Sequence, residues 1–343
     1  MVTKLDELEL MTNEEKLTLL ATLLEETEVP EPDFWPQPAG SKSAAGDPRT
    51  DLRFELLGPL VIRPADADVE ADVAPSAPKL RLILATLLFN ANKPVGASAL
   101  IRELWGENAP RTANSTLQTY IFKLRKLFQA VLGTSVEHIT HEVLLTCSGG
   151  YTLRVDAQQL DITEFDQLVT SGTAAMRAGD YESAAEKLRR SLALWRGSVV
   201  HQGQWGTCLR AQVARLEERR FYAHTTRIDA DLCLGRHREM ISELASLVVE
   251  HPLHESAHVM LMIALHRAGR ASAALEVYMR FRQRMLHELG IEPSERIKAL
   301  HVALLSADPV LMDLSLTSEM LLDRLAQPGL VRARENSPAV TGV

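Results

Sequence analysis

Residues 111–131, RTANSTLQTYIFKLRKLFQAV, constrain this chain more than any other segment. At about 100° per residue, Leu117, Ile121, Leu124 and Phe128 share one narrow arc, so the spacing predicts a helix with one buried face. Thr112, Ser115, Thr119, Phe122, Lys123 and Lys126 fall on the opposite side, and Arg125 stands about 80° from the centre of the apolar arc. No Asp or Glu occurs between positions 108 and 136, while Arg111, Lys123, Arg125 and Lys126 give that stretch a net charge of +4. A shorter helix is expected over 97–106, which contains Leu104-Trp105-Gly106. The segment 144–155, LLTCSGGYTLRV, reads as a hairpin turning at Ser148-Gly149-Gly150. A polar, cationic helix buttressed by a shorter one and flanked by a hairpin is the plan of a winged helix, which makes double-stranded DNA the first partner to weigh.

The chemistry of that face fits a polyanion. Lys123 and Lys126 are expected to meet phosphates or guanine edges, and Thr112, Ser115 and Thr119 the backbone or bases. Phe122 is suited to a thymine methyl, and Arg125 to bridging a phosphate at the helix flank. Lys79 and Arg81, near the start of an apolar helix expected over 78–88, are placed to hold a phosphate at its N-terminus. An ordinary amphipathic helix with a solvated basic face would share the same pattern, so the flanking elements carry the distinction.

At 343 residues the chain has room for two or three domains. Aromatics supply only 5% of the residues, and Leu, Ala and Arg are abundant, which points to a mostly helical protein. No apolar run is long enough to span a bilayer, and the acidic N-terminus does not resemble a signal peptide. Cys147, Cys208 and Cys233 are dispersed, with no CxxC, as expected for reduced thiols. These features place the chain in the cytoplasm, at the nucleoid. The formal charge of −8 is unevenly spread. Residues 1–50 hold four Lys/Arg and eleven Asp/Glu, whereas 79–136 hold eight Lys/Arg and two Glu. Local potential rather than the total governs attraction to a polyanion.

Four regions follow from the patterning. Residues 1–50 form an acidic extension: a leucine-striped helix over 12–26, opened by the capping-box pair Thr12 and Glu15, then a linker rich in Pro, Gly and Ser. Two readings of it stay open, a solubilising tail and an acidic helix that docks on a partner or folds back over the basic helix. Residues 51–156 carry two short strands broken at Gly58-Pro59, three helices and the wing, with Thr112 as N-cap of the third helix. Residues 157–307 form the next region, in which the pattern is helical without interruption from Asp161 onward. In them Ala178-Gly179-Asp180, Leu234-Gly235-Arg236 and Ala268-Gly269-Arg270 repeat a turn, and Gly235 and Gly269 lie 34 residues apart, the tetratricopeptide period. Tyr181, Trp195, Trp205 and Tyr222 are expected to pack a core. Residues 308–343 form a C-terminal tail with one more helix over 315–327.

The strings APKLRLILATLLFNANKPV, ALIRELWGENAP, NSTLQTYIFKLRKLF and SGGYTLRVD, followed by DITEFDQLV, AAEKLRRSLALWRG and ELGIEPS, resemble the Streptomyces antibiotic regulatory protein (SARP) family in unbroken order over about 51–307. The resemblance implies a mostly α protein, an OmpR-type winged-helix domain (α+β) followed by an all-α, tetratricopeptide-like bacterial transcriptional activation domain. It further implies side-by-side binding of two protomers to direct repeats beside a promoter −35 element. RNA polymerase would be recruited through sigma factor and core subunits, at secondary-metabolite genes. Arg111 resembles a transactivation-loop residue that faces sigma factor or the DNA backbone. Two positions depart from the pattern: Phe122 stands where relatives tend to carry a small or polar residue, and Cys147 where they often carry Arg, leaving His141 to supply a wing contact. With no GxxxxGK[ST], the chain resembles the small, ATPase-free members, for which no cofactor and no enzymatic activity are expected. Two rival classes remain: a tetratricopeptide-like interaction scaffold that does not bind DNA, and a zinc peptidase, since residues 254–258 spell HExxH.

Overall fold

The computed structural model describes residues 52–64, 72–199 and 206–326. The acidic extension and its helix, Trp205 and the tail from 327 onward lie outside the described residues.

The described chain opens with an antiparallel hairpin, β1 (Leu52–Glu55) and β2 (Val61–Pro64). Phe54 pairs with Ile62 in its register and both are buried, as period-two alternation demands. Helix α1 (Pro78–Phe89) starts on a proline, whose missing N–H costs nothing in a first turn. The chain then turns at Asn92, a non-glycine residue with φ 65°. Its amide donates to the Val155 carbonyl (2.8 Å) and accepts from the Val155 N–H (3.1 Å), fastening the turn to the end of the wing. There follow β3 (Val95–Gly96), α2 (Ala97–Trp105) and α3 (Ala113–Leu132). A short helical segment, Val136–His138, and a wide turn, Ile139–Val143, lead into the wing strands β4 (Leu144–Cys147) and β5 (Gly150–Leu153). The wing sheet runs β3-β5-β4. Its third strand, two residues long, is too short for any periodic signal.

Eight helices make up the described part of the second module: α4 (Asp161–Arg177), α5 (Tyr181–Ala193), α6 (Thr207–Cys233), α7 (His237–Glu250), α8 (Glu255–Arg267), α9 (Ala271–Glu288), α10 (Glu295–Leu305) and α11 (Ser318–Ala326). The expected turns close α4, α6 and α8 in the same way. Gly179, Gly235 and Gly269 take φ of 76–79°, a left-handed conformation only glycine adopts without strain. One residue on, the N–H of Asp180, Arg236 and Arg270 reaches back to the carbonyl of Ala175, Asp231 and Leu265 at 2.8–3.0 Å. That is the six-to-one bond which satisfies the orphan carbonyls of a helix end.

Four sequence expectations need correction. The helical run is interrupted, since α5 ends at Ala193 and α6 begins at Thr207. Tyr222 does not pack a core: it is 46% exposed, on the outward face of α6. Thr112 occupies the N-cap position of α3, but its side chain makes no capping bond. Its φ/ψ of −89°/10° lies outside the extended geometry that aims a cap hydroxyl at the helix N–H groups. Residues 309–326, in the stretch expected to be tail, are folded into the helical module. The buried Arg267 guanidinium donates to the carbonyls of Leu311 (2.9 Å) and Asp313 (2.8 Å). Asp229, also buried, accepts from the Ser318 N–H (2.9 Å) and hydroxyl (2.6 Å) at the start of α11.

The two modules are joined by buried polar contacts. Asp161, the first residue of α4, accepts the N–H groups of Leu56 (2.8 Å) and Leu57 (2.9 Å) in the β1–β2 turn. Arg196 returns to the same turn, its N–H reaching the Leu57 carbonyl (2.7 Å) and its guanidinium the Pro59 carbonyl (3.1 Å). On the other side, the buried Glu103 of α2 accepts the Cys208 N–H (2.7 Å) at the start of α6. A carboxylate there suits the positive end of the helix dipole. Gly206 makes this approach feasible, since a Cβ on it would lie 2.4 Å from Glu103 Oε2 and 2.7 Å from Glu103 Cα.

Candidate nucleic-acid interface

The geometry of α3 follows from its apolar spacing. Leu117, Ile121, Leu124 and Phe128 are each 1% exposed, and the Phe128 ring meets Phe54 edge-on at 6.4 Å. With that arc anchored, the opposite arc has to face solvent. Thr112, Ser115, Thr119, Phe122, Lys123 and Lys126 are all exposed, and Arg111 stands exposed just before the helix. The structure thus brings seven of the ten candidate residues to one surface, with no acidic residue within α3 to neutralise them.

Their hydrogen bonds differ. The Ser115 hydroxyl donates to the Thr112 carbonyl and that of Thr119 to the Ser115 carbonyl, both at 2.9 Å. Each keeps lone pairs outward and has to rotate its proton to donate to a phosphate. Lys126 Nζ contacts Gln129 Oε1 (3.1 Å) and stands 5.9 Å from the centre of the Phe122 ring. Lys123 and Arg111 make no ion pair among the described residues.

Three candidates lie elsewhere. Lys79 is exposed, with its ammonium 4.8 Å from the centre of the Trp105 ring, so it covers the α1–α2 junction. Arg81 turns inward to the carbonyls of Leu60 and Pro75 and braces the β1–β2 region. Arg125 donates from Nε and Nη2 to the Leu144 carbonyl (3.0 and 2.8 Å) and from Nη2 to Thr146 Oγ1 (2.8 Å). Burial lowers its pKa from the usual guanidinium value, against a smaller opposing influence of Tyr151. In place of the expected bridge to a phosphate, Arg125 ties the wing to α3. Its position on the edge of the apolar arc carries the guanidinium to β4.

Two residues absent from the sequence-derived set are also exposed on α3, toward its flank. Asn114 and Gln118 stand eight and four residues before Phe122, making one row along α3. Their amides have the donor–acceptor pair that matches adenine in a major groove. The same acid-free segment and the same i,i+4 spacing marked them. In the wing, Cys147 is half-buried, with Sγ 3.1 Å from Thr152 Oγ1, and His141 is exposed.

The HExxH residues are engaged separately. His254 precedes α8, and its ring lies 4.2 Å from Phe221. His258 is buried against Phe281 at 4.2 Å, and burial lowers its pKa. Glu255 accepts from the Ser294 N–H (3.2 Å) and hydroxyl. Among the described residues no three His, Cys, Asp or Glu side chains converge as a metal site, and no helix is long and apolar enough to cross a membrane.

Comparison with known proteins agrees with this architecture. Residues 73–144 match the family described as transcriptional regulatory protein, C terminal, and residues 160–305 match the bacterial transcriptional activator domain. Regulatory protein DnrI of Streptomyces peucetius is 40% identical over 258 residues, 75% of this chain and 93% of that protein. Regulatory protein AfsR of Streptomyces coelicolor is 38% identical over 265 residues, which cover 77% of this chain and 25% of that protein. The solved structure of Mycobacterium tuberculosis EmbR in complex with a low-affinity phosphopeptide gives a TM-score of 0.69 at 32% identity, over 83% of this chain and 71% of that one. A winged-helix module followed by paired helices of the activator-domain type defines a bacterial transcriptional regulator. This chain belongs to the Streptomyces antibiotic regulatory protein family.

Proposed function

We propose that this regulator activates transcription by laying α3 in the major groove of promoter DNA and presenting its helical module to RNA polymerase. The observation that carries the reading is the outward face of α3, polar, cationic and free of acidic residues on a helix whose other face is locked into the core. Lys123, Lys126 and Arg111 neutralise phosphates there, while Asn114, Gln118 and the hydroxyl residues meet base edges or backbone. Lys79 lies off that face and supplies a peripheral phosphate contact. Two protomers bind side by side on direct repeats next to a −35 element, at genes of secondary metabolism, and the complex recruits polymerase through sigma factor and core subunits. The rigid connection through Glu103 and Asp161 supports this reading, because it holds the second module at a fixed bearing from α3.

Footprinting of the purified protein on the promoters around its own gene, with and without polymerase holoenzyme, tests the proposal. The expected result is protection of two direct repeats beside the −35 element, extended when polymerase is present. Absence of protection in both samples would reject it in favour of the interaction scaffold.

A further inference from the structure

Phe122 is out of place for an ordinary solvated helix face. Of the described Phe, Tyr and Trp residues only Phe122 and Tyr222 are exposed, and Phe122 is the more so, at 57%. Among the described residues the Lys126 ammonium stands over it, 5.9 Å from the ring centre. By helical geometry Ser115, Phe122 and Lys126 fall within roughly 40° of one another, so the ring occupies the polar surface itself and not its margin.

A benzyl side chain neither donates nor accepts a hydrogen bond, so it is blind to most of what a major groove displays. The apolar feature that distinguishes one base pair from another there is the C5-methyl of thymine. The cations around Phe122 bring the helix to DNA whatever its sequence, and the ring then gains only where it finds a methyl to cover. We infer that Phe122 is a specificity-determining residue that packs on a thymine methyl at one fixed position of each repeat. This rests on the reading of α3 as the DNA-contacting helix.

Removing one methyl from the DNA tests it without altering the protein. The full-length protein is used to select duplexes from a randomised library, and each thymine of the selected site is replaced in turn by deoxyuridine, which lacks only the methyl. The same single position in each repeat is expected to lose affinity about fourfold, the scale of one buried methyl-sized group. For Phe122→Ala the same replacement is expected to have no effect. Phe122→Leu should retain part of the sensitivity. Because the residue is exposed, all three proteins should share one thermal midpoint. Equal binding of thymine and uracil at every position by the wild type would overturn the inference, and so would a methyl effect that survives in Phe122→Ala. Both outcomes leave DNA binding intact. Failure to select any duplex would instead overturn the reading of α3, and this inference with it.

Discussion

At the scale of single residues, charge is spent in two ways. Lys123 and Lys126 project from α3 into solvent, where an exposed ammonium contributes little to stability and acts chiefly on a polyanion. Lys123→Ala is therefore expected to weaken binding to all duplexes alike and to reduce the slope of log affinity against log salt by about one, read from filter binding over a salt series. Asp161 acts inside the protein. It is 3% exposed, and burial pushes its carboxyl up to about 6, opposed by the N–H groups of Leu57 and Leu56 and by Arg196. The folded chain thus holds this proton more tightly than the unfolded one does. The contribution of Asp161 is complete below the unfolded value, about 4, and is lost as pH rises through about 6. The stability difference between wild type and Asp161→Ala, measured by urea unfolding, should shrink from pH 4 to pH 7 and then level off. A difference that grows over this window would contradict the assignment. At any pH the variant leaves two buried N–H groups without partners, each costing about 1–3 kcal/mol.

At the scale of elements, the wing and the turns depend on contacts that composition does not reveal. Arg125 binds β4 through a carbonyl and a hydroxyl, so Arg125→Met should lower stability by about 1–2 kcal/mol. If its role is bracing, the salt dependence of DNA binding should be unchanged, whereas a fall of one in the slope would return Arg125 to the phosphate contacts. The helix-pair turns make a different demand. Gly269 stands at φ 79° with open space around it, so Gly269→Ala meets no clash and isolates the backbone cost. About 1–2 kcal/mol of destabilisation is expected by thermal unfolding, since an L-residue is strained in that region.

At the scale of the molecule, the two modules should behave as one cooperative unit. Glu103 seats on the first turn of α6 only because Gly206 has no side chain, and Asp161 with Arg196 closes the other side. Wild type should unfold in a single calorimetric transition. Gly206→Ala drives a Cβ into Glu103 and should split that transition into two; one transition at an unchanged midpoint would show that the contact does not couple the modules. The same variant should leave the footprint of α3 intact and reduce its extension by polymerase, because the helical module would lose its fixed bearing.

What the sequence determined by itself was whatever repeats along the chain. The apolar arc of α3, the turns at Gly179, Gly235 and Gly269 and the glycine-rich wing were legible because each follows from a local backbone preference or a helical period. The exposed face of α3 followed from those same periods. Tertiary structure decided the rest. Whether Arg81 and Arg125 face DNA or the protein depends on carbonyls 21 and 19 residues away, and neither partner carries a sequence signature. Glu103 and Asp161 reach across 105 residues to pair with backbone N–H groups that every residue except proline possesses. A polar side chain shows in the sequence that it needs a partner, but only the folded chain settles which one lies within reach.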